Sequence, residues 1–194
     1  MINRISKWQM VMVGALWLGV SVCAQEISKV WDGSLSAREK YNYPMPPTND
    51  RSLFFIQRSS NSNTIVYEGN ILSNGEYDPE KPVDVFWIRY DEEGQRKGLN
   101  FIQRKLAYGV VSEPSEDGKN YVVNLVSYKK RNIYVVKNQQ GKVQAHMEIN
   151  GKLAKFNSVF VEIERNFFIP DVSFIEIFGE DLETGEAVYE RFIP

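Results

Sequence analysis

Thiols and imidazoles are nearly missing from this chain: its 194 residues hold one cysteine, Cys23, and one histidine, His146. That scarcity excludes an internal disulfide and multi-histidine or multi-thiolate zinc centres, and leaves Cys23 as the sole candidate for a cysteine nucleophile. No G-x-S-x-G elbow, H-E-x-x-H, P-loop or G-x-G-x-x-G is present either, so those hydrolase, zincin and nucleotide-binding chemistries lack their residues. No Ser/Gly linker or low-complexity tract divides the chain. The formal net charge of −2 argues against nucleic acid as a partner.

What is present begins with an export signal. Arg4 and Lys7 precede an uncharged run from Trp8 to Val22, and Val22 and Ala24 stand three and one residues before Gln25. This predicts a signal peptide over residues 1–24 and a mature chain, periplasmic or extracellular, with neither thiol nor transmembrane helix. Lipid anchoring at Cys23 is the alternative, disfavoured because Val22 stands where a lipobox carries a small residue. Residues 25–50 read as an extended N-terminal arm. Ser36 and Glu39 have capping-box spacing for one short helical turn, and the prolines after Tyr41 keep the chain extended. A docked arm is favoured over a proline-rich recognition motif.

Residues 51–194 read as one mainly β domain, an antiparallel β-sandwich or barrel-like fold with one short helix inserted after the third strand. Strand-like runs cover 53–59, 64–69 and 83–88, with the Ser60 to Asn63 segment as a hairpin loop. The run from Val83 is apolar on both faces, which predicts a central strand. Leu99, Ile102 and Leu106 then share one helical stripe opposite Asn100, Gln103 and Arg104, predicting a helix that buries that stripe. Asn100 and Gln103 fit a capping box, and Gly109 is suited to end the helix in a left-handed conformation. Further strands are expected at 121–128, 132–137, 143–149, 152–156, 159–165, 173–178 and 187–193. Turn signals at Gln140-Gly141, Asn150-Gly151, Ile169-Pro170-Asp171 and Glu183-Thr184-Gly185 separate most of them. The tetrapeptide Phe-Ile-Gln-Arg occurs at Phe55 and again at Phe101, once in a strand and once in the helix; differing flanks argue against duplication.

Charge is uneven. Residues 119–155 carry eight Lys and Arg against one acid, Glu148, whereas residues 156–194 carry nine acids against two arginines. Pairing between neighbouring strands is expected, with a basic patch for an anionic partner as the alternative. His146 falls on the polar face of its strand, where an Asn150-Gly151 turn sets it opposite Lys155, and is expected to be a surface residue, not a base. Carboxylates remain the open catalytic route, in the runs Asp91 to Glu93 and Glu180 to Glu186. Calcium at the second run lacks EF-hand spacing, and no metal or other cofactor is expected.

The blocks LFFIQRSSNSNTIVYEGN (Leu53 to Asn70) and PVDVFWIRYDEEGQRKGLNFIQRKLAYG (Pro82 to Gly109), with SYKKR from Ser127, resemble a family of small exported proteins of Bacteroidetes-type bacteria, catalogued as a domain of unknown function. The resemblance covers most of residues 42–194 and implies export and a single domain, with no site residues to carry over. The expected function is a non-catalytic binding or interaction module for an envelope or surface partner; a carboxylate-dependent hydrolase acting on glycans or envelope polymers is the alternative. Polar and aromatic side chains not needed for a core concentrate near Val83 to Gly109. The candidate contact residues are Arg58, Asn61, Asn63, Arg89, Tyr90, Gln103, Arg104 and Tyr108, with Arg104 and Tyr108 expected to set a guanidinium beside a ring; the reading favoured over contact is that these arginines hold the helix to the sheet through hydrogen bonds.

Overall fold

A computed structural model describes residues 36–165 and 170–194. The signal-peptide segment with Cys23, the first part of the N-terminal arm and Ile169 of one expected turn lie outside the described residues. Eleven strands form one sheet: β1 (Ser52–Arg58), β2 (Asn61–Gly69), β3 (Val83–Arg89), β4 (Gln95–Gly98), β5 (Val110–Pro114), β6 (Tyr121–Leu125), β7 (Tyr128–Lys137), β8 (Val143–Ile149), β9 (Lys152–Arg165), β10 (Pro170–Asp181) and β11 (Ala187–Phe192). Two short helices accompany them, α1 (Ala37–Tyr41) and α2 (Phe101–Leu106).

The strand at the heart of this sheet is β9, not β3. Along one edge of β9, Lys152 to Lys155 pair antiparallel with β8, then Ser158 to Val161 pair with β1; β10 runs along the other edge. Two arms therefore leave the same edge, β1-β2-β3-β4 and β8-β7-β6-β5, and the nine-strand path curls into a half-barrel instead of a sandwich. The β1–β9 pairing is parallel, a departure from the expected all-antiparallel order. The two strands expected at 152–156 and 159–165 are one, because Asn157 and Ser158 mark a change of partner and not a break.

The arms enclose one core. Phe54, Ile56, Ile65, Tyr67, Val85 and Trp87 come from one side, Val123, Ile133, Val135, Ala145 and Met147 from the other, and Phe156 from β9. Phe54 stacks on Tyr67 with ring centroids 4.2 Å apart and lies 4.5 Å from Phe156, a large aromatic contribution to burial. Strand β3 is apolar on both faces as expected: Phe86 and Ile88 join Phe55 and Val66 in a second cluster on the outer face. It is nevertheless next to the end of the path, and its outer face is covered locally. Arg96 lies 3.5 Å over the Phe86 ring, and the Tyr90 hydroxyl reaches the Met45 carbonyl of the N-terminal arm.

That arm is docked. Ser36 and Glu39 form the expected capping box, and the Tyr41 ring lies 5.4 Å from that of Phe160. The buried Glu176 carboxylate accepts from the backbone amides of Ala37 and Arg38, from the Tyr189 hydroxyl and from the Arg191 guanidinium. A buried carboxylate needs such donors to remain charged, so Glu176 ties α1 to the sheet. The neighbouring charge blocks also pair: Arg131 with Glu190, Lys155 with Glu180 and Lys152 with Asp181.

Several local expectations are corrected. The first hairpin turns through Ser59 and Ser60 alone, with Arg58 opposite Asn61, so Asn61 to Asn63 belong to β2. Tyr128 starts β7 after a turn at Val126 and Ser127 that carries no glycine or asparagine, so the run at 121–128 divides. The helix follows a fourth strand, β4, whose Gln-Arg-Lys-Gly sequence reads as turn but pairs with β3 as a charged edge. The Asn150-Gly151 turn holds as expected, with φ of 50° and 76° and His146 opposite Lys155.

Candidate functional site

The chain leaves β4, one end of the sheet path, and enters β5, the other end, through residues 99–109. This crossing contains α2. Its start is local chemistry: the Asn100 side chain accepts from the Gln103 amide, and Gln103 accepts from the Asn100 amide. Its end is not the expected left-handed glycine. Helix α2 stops at Leu106, and a Cβ on Gly109 would lie 1.9 Å from the Arg104 carbonyl, so glycine is needed for close backbone approach.

Three hydrogen bonds and a cation–π contact hold the crossing to the core. The Trp87 indole donates to Gln103 Oε1 at 3.3 Å, and the Tyr67 hydroxyl donates to the Tyr108 carbonyl at 2.8 Å. Arg58 donates to the Tyr108 hydroxyl at 2.7 Å, and its guanidinium lies 4.9 Å from the Trp87 ring and 5.6 Å from the Tyr108 ring. Asn61 Oδ1 accepts from the same guanidinium at 3.4 Å. The guanidinium beside Tyr108 is thus Arg58, not Arg104; Arg104 instead turns to the Leu99 carbonyl.

Of the candidate contact residues, Arg58, Asn61, Gln103 and Tyr108 come together in this clamp around Trp87. Asn63, Arg89 and Tyr90 do not join it. Asn63 bonds both the side chain and the amide of Asp91, Arg89 pairs with Asp91 and Glu92, and Tyr90 binds the N-terminal arm.

The larger correction concerns the helix face. Leu99 is buried, but Ile102 and Leu106, expected beside it, are 66% and 72% exposed, and Phe101 is 72% exposed. Gln103 occupies the side that meets Trp87, so the polar side of the expected stripe faces the protein. Phe101 was the signal: it is apolar outside the stripe of Leu99, Ile102 and Leu106, so no single buried face accommodates all four. Lys105 lies 5.1 Å from the Phe101 ring.

The acids are engaged elsewhere. Glu180 accepts from Lys155 and Asn157, and Asp181 caps the amides of Glu183 and Thr184. Hydrogen bonds from Lys155 and Asn157 outweigh burial and hold Glu180 below the usual carboxylate range; the Asn63 and Arg89 contacts do the same for Asp91. Burial, then the Lys155 charge, lower the His146 pKa and so favour the neutral imidazole. Among the described residues no three His, Cys, Asp or Glu side chains form a group that would hold a metal ion, and no helix is long and apolar enough to cross a membrane.

No curated protein and no solved structure matches the chain. Residues 54–191 match a family described as a domain of unknown function, DUF4833, a span that runs from β1 to β11 and includes the α2 crossing. The chain belongs to that family.

Proposed function

We propose that this protein is an exported, non-catalytic binding module, periplasmic or extracellular, that meets its partner through the α2 crossing. One observation carries the reading: three large apolar side chains, Phe101, Ile102 and Leu106, stand in solvent on a helix held to the core by the Gln103 side chain on Trp87 and, just past its end, by Tyr108 on Tyr67 and Arg58. A flexible tail exposing such residues would be unremarkable, whereas a clamped one presents them in fixed positions and lowers the ordering cost of binding. The hydrolase alternative needs an acid with a raised pKa, and among the described residues the displaced carboxyls, Asp84, Asp91, Asp117, Glu180, Asp181 and Glu190, move down.

A photo-crosslinking residue at Ile102, set against one at Leu153 on the outer face of β9, tests the reading in cells of the native host. Adducts at Ile102 above those at Leu153 support it, and equal labelling of the two positions contradicts it. Export is tested separately by intact mass: a chain starting at Gln25 is expected, and a diacylglyceryl-modified Cys23 would contradict it.

A further inference from the structure

We propose that the surface met by α2 is an anionic phospholipid bilayer, an inference that rests on the reading of α2 as the binding face. From Gln95 to Ser112 the chain holds Arg96, Lys97, Arg104 and Lys105 and no acid, in a protein whose net charge is −2. Arg96 is neutralised by Asp84 and Glu68, but Lys97, Arg104 and Lys105 form no ion pair among the described residues. The β3–β4 ladder sets Lys97 opposite Trp87, on the face of the sheet to which Gln103 of α2 is bonded. Three cations without an ion pair therefore share β4 and α2 with three exposed apolar side chains, Lys105 lying against the Phe101 ring. The nearest acids in sequence, Glu92, Glu93 and Glu113, lie in the hairpin turn before β4 and in β5, off the crossing.

This combination matches the chemistry of a membrane interface. Apolar side chains on one edge of a helix enter the boundary between headgroups and acyl chains, while Lys and Arg stems lie along it with their charges at the phosphates. An aromatic ring beside an ammonium, as at Phe101 and Lys105, suits headgroup depth. A stable protein partner would need roughly 800 Å² from this chain, more than three side chains of one six-residue helix offer, whereas interfacial docking works with a small apolar edge plus charge.

Flotation of the purified protein with vesicles tests this, using phosphatidylcholine alone and phosphatidylcholine mixed with phosphatidylglycerol, at low and high salt. Binding is expected to the mixed vesicles, weakening as salt rises. It should fall about tenfold or more in a Phe101→Ser, Leu106→Ser variant, and by about tenfold in a Lys97→Glu, Lys105→Glu variant. Should the serine variant fail to fold, the lysine variant decides, since both lysines are exposed. Absence of vesicle binding, equal binding to neutral vesicles, or binding untouched by both variants overturns the proposal. If vesicles fail while Ile102 crosslinks to protein, the lipid inference falls and the binding reading stands; if Ile102 labels no better than Leu153, both fall.

Discussion

The same four residues, Phe-Ile-Gln-Arg, occur in β1 at 55–58 and at the start of α2 at 101–104, and the structure treats them oppositely at every position but the glutamine. In β1, Phe55 sits in the outer cluster, Ile56 in the main core, Gln57 is buried against Pro44 and Thr64, and Arg58 stacks on Trp87. In α2, Phe101 and Ile102 stand in solvent, Gln103 alone turns inward, and Arg104 points out. Composition cannot separate the two copies. What separates them is Asn100, whose capping box starts a helix, and the place of β1 in the sheet, where β2 and β9 pair along its two edges, the main core covers one face and the outer cluster with the Pro44 carbonyl covers the other.

Matched substitutions at three of the four positions test this comparison. The largest contrast is at the phenylalanines: Phe55→Ala should cost about 3–5 kcal/mol by chemical denaturation, whereas Phe101→Ala should change stability by less than about 0.5 kcal/mol. Comparable losses at both would mean that α2 packs against the protein after all.

At the arginines the difference is smaller. Arg58→Ala removes the stack on Trp87 and a charged hydrogen bond to Tyr108, an expected loss of about 1–3 kcal/mol, against about 0.5 kcal/mol or less for Arg104→Ala. Because Arg58 and Tyr108 share that bond, Arg58→Ala combined with Tyr108→Phe should cost less than the sum of the two single changes. Additivity would show that the clamp is not a unit.

The glutamines should converge. Gln57→Ala leaves the Pro44 carbonyl and Thr64 short of a partner, and Gln103→Ala removes the acceptor of the Asn100 amide and of the Trp87 indole while Asn100 still caps the helix; each is expected to cost about 1–2 kcal/mol. Hydrogen exchange should then distinguish them. Gln103→Ala should speed exchange across residues 99–109 and leave α1 unchanged, since α1 is held by Glu176.

The comparison also shows where the sequence was informative. Alternation placed the core faces of β3 and β8, Asn-Gly set the register at His146, and two capping boxes marked both helix starts, because each of these depends on residues within one turn or one strand. The hub was not legible. Nothing in residues 152–165 announces that one strand will carry β8 and β1 on the same edge, since that follows from long-range pairing. Likewise the clamp was half legible. The chemistry of Arg58, Asn61, Gln103 and Tyr108 marks them as contact residues, but the match of Arg58 to Tyr108 is hidden, because they are 50 residues apart in sequence and meet only when the crossing folds back on β1. The exposed face of α2 was misassigned for a related reason: period alone identifies an apolar stripe, and Trp87 decides which side is inward.

The central claim is that α2 is clamped to the half-barrel while its apolar residues stay outside the core. Thermal melting of the Phe101→Ser, Ile102→Ser, Leu106→Ser triple variant tests it most directly. If those side chains are as exposed as the structure places them, the melting temperature should stay within about 3 °C of the parent, the small effect expected of surface substitutions. A fall of about 10 °C or more would mean that the face is buried, and would remove the basis for α2 as a binding surface.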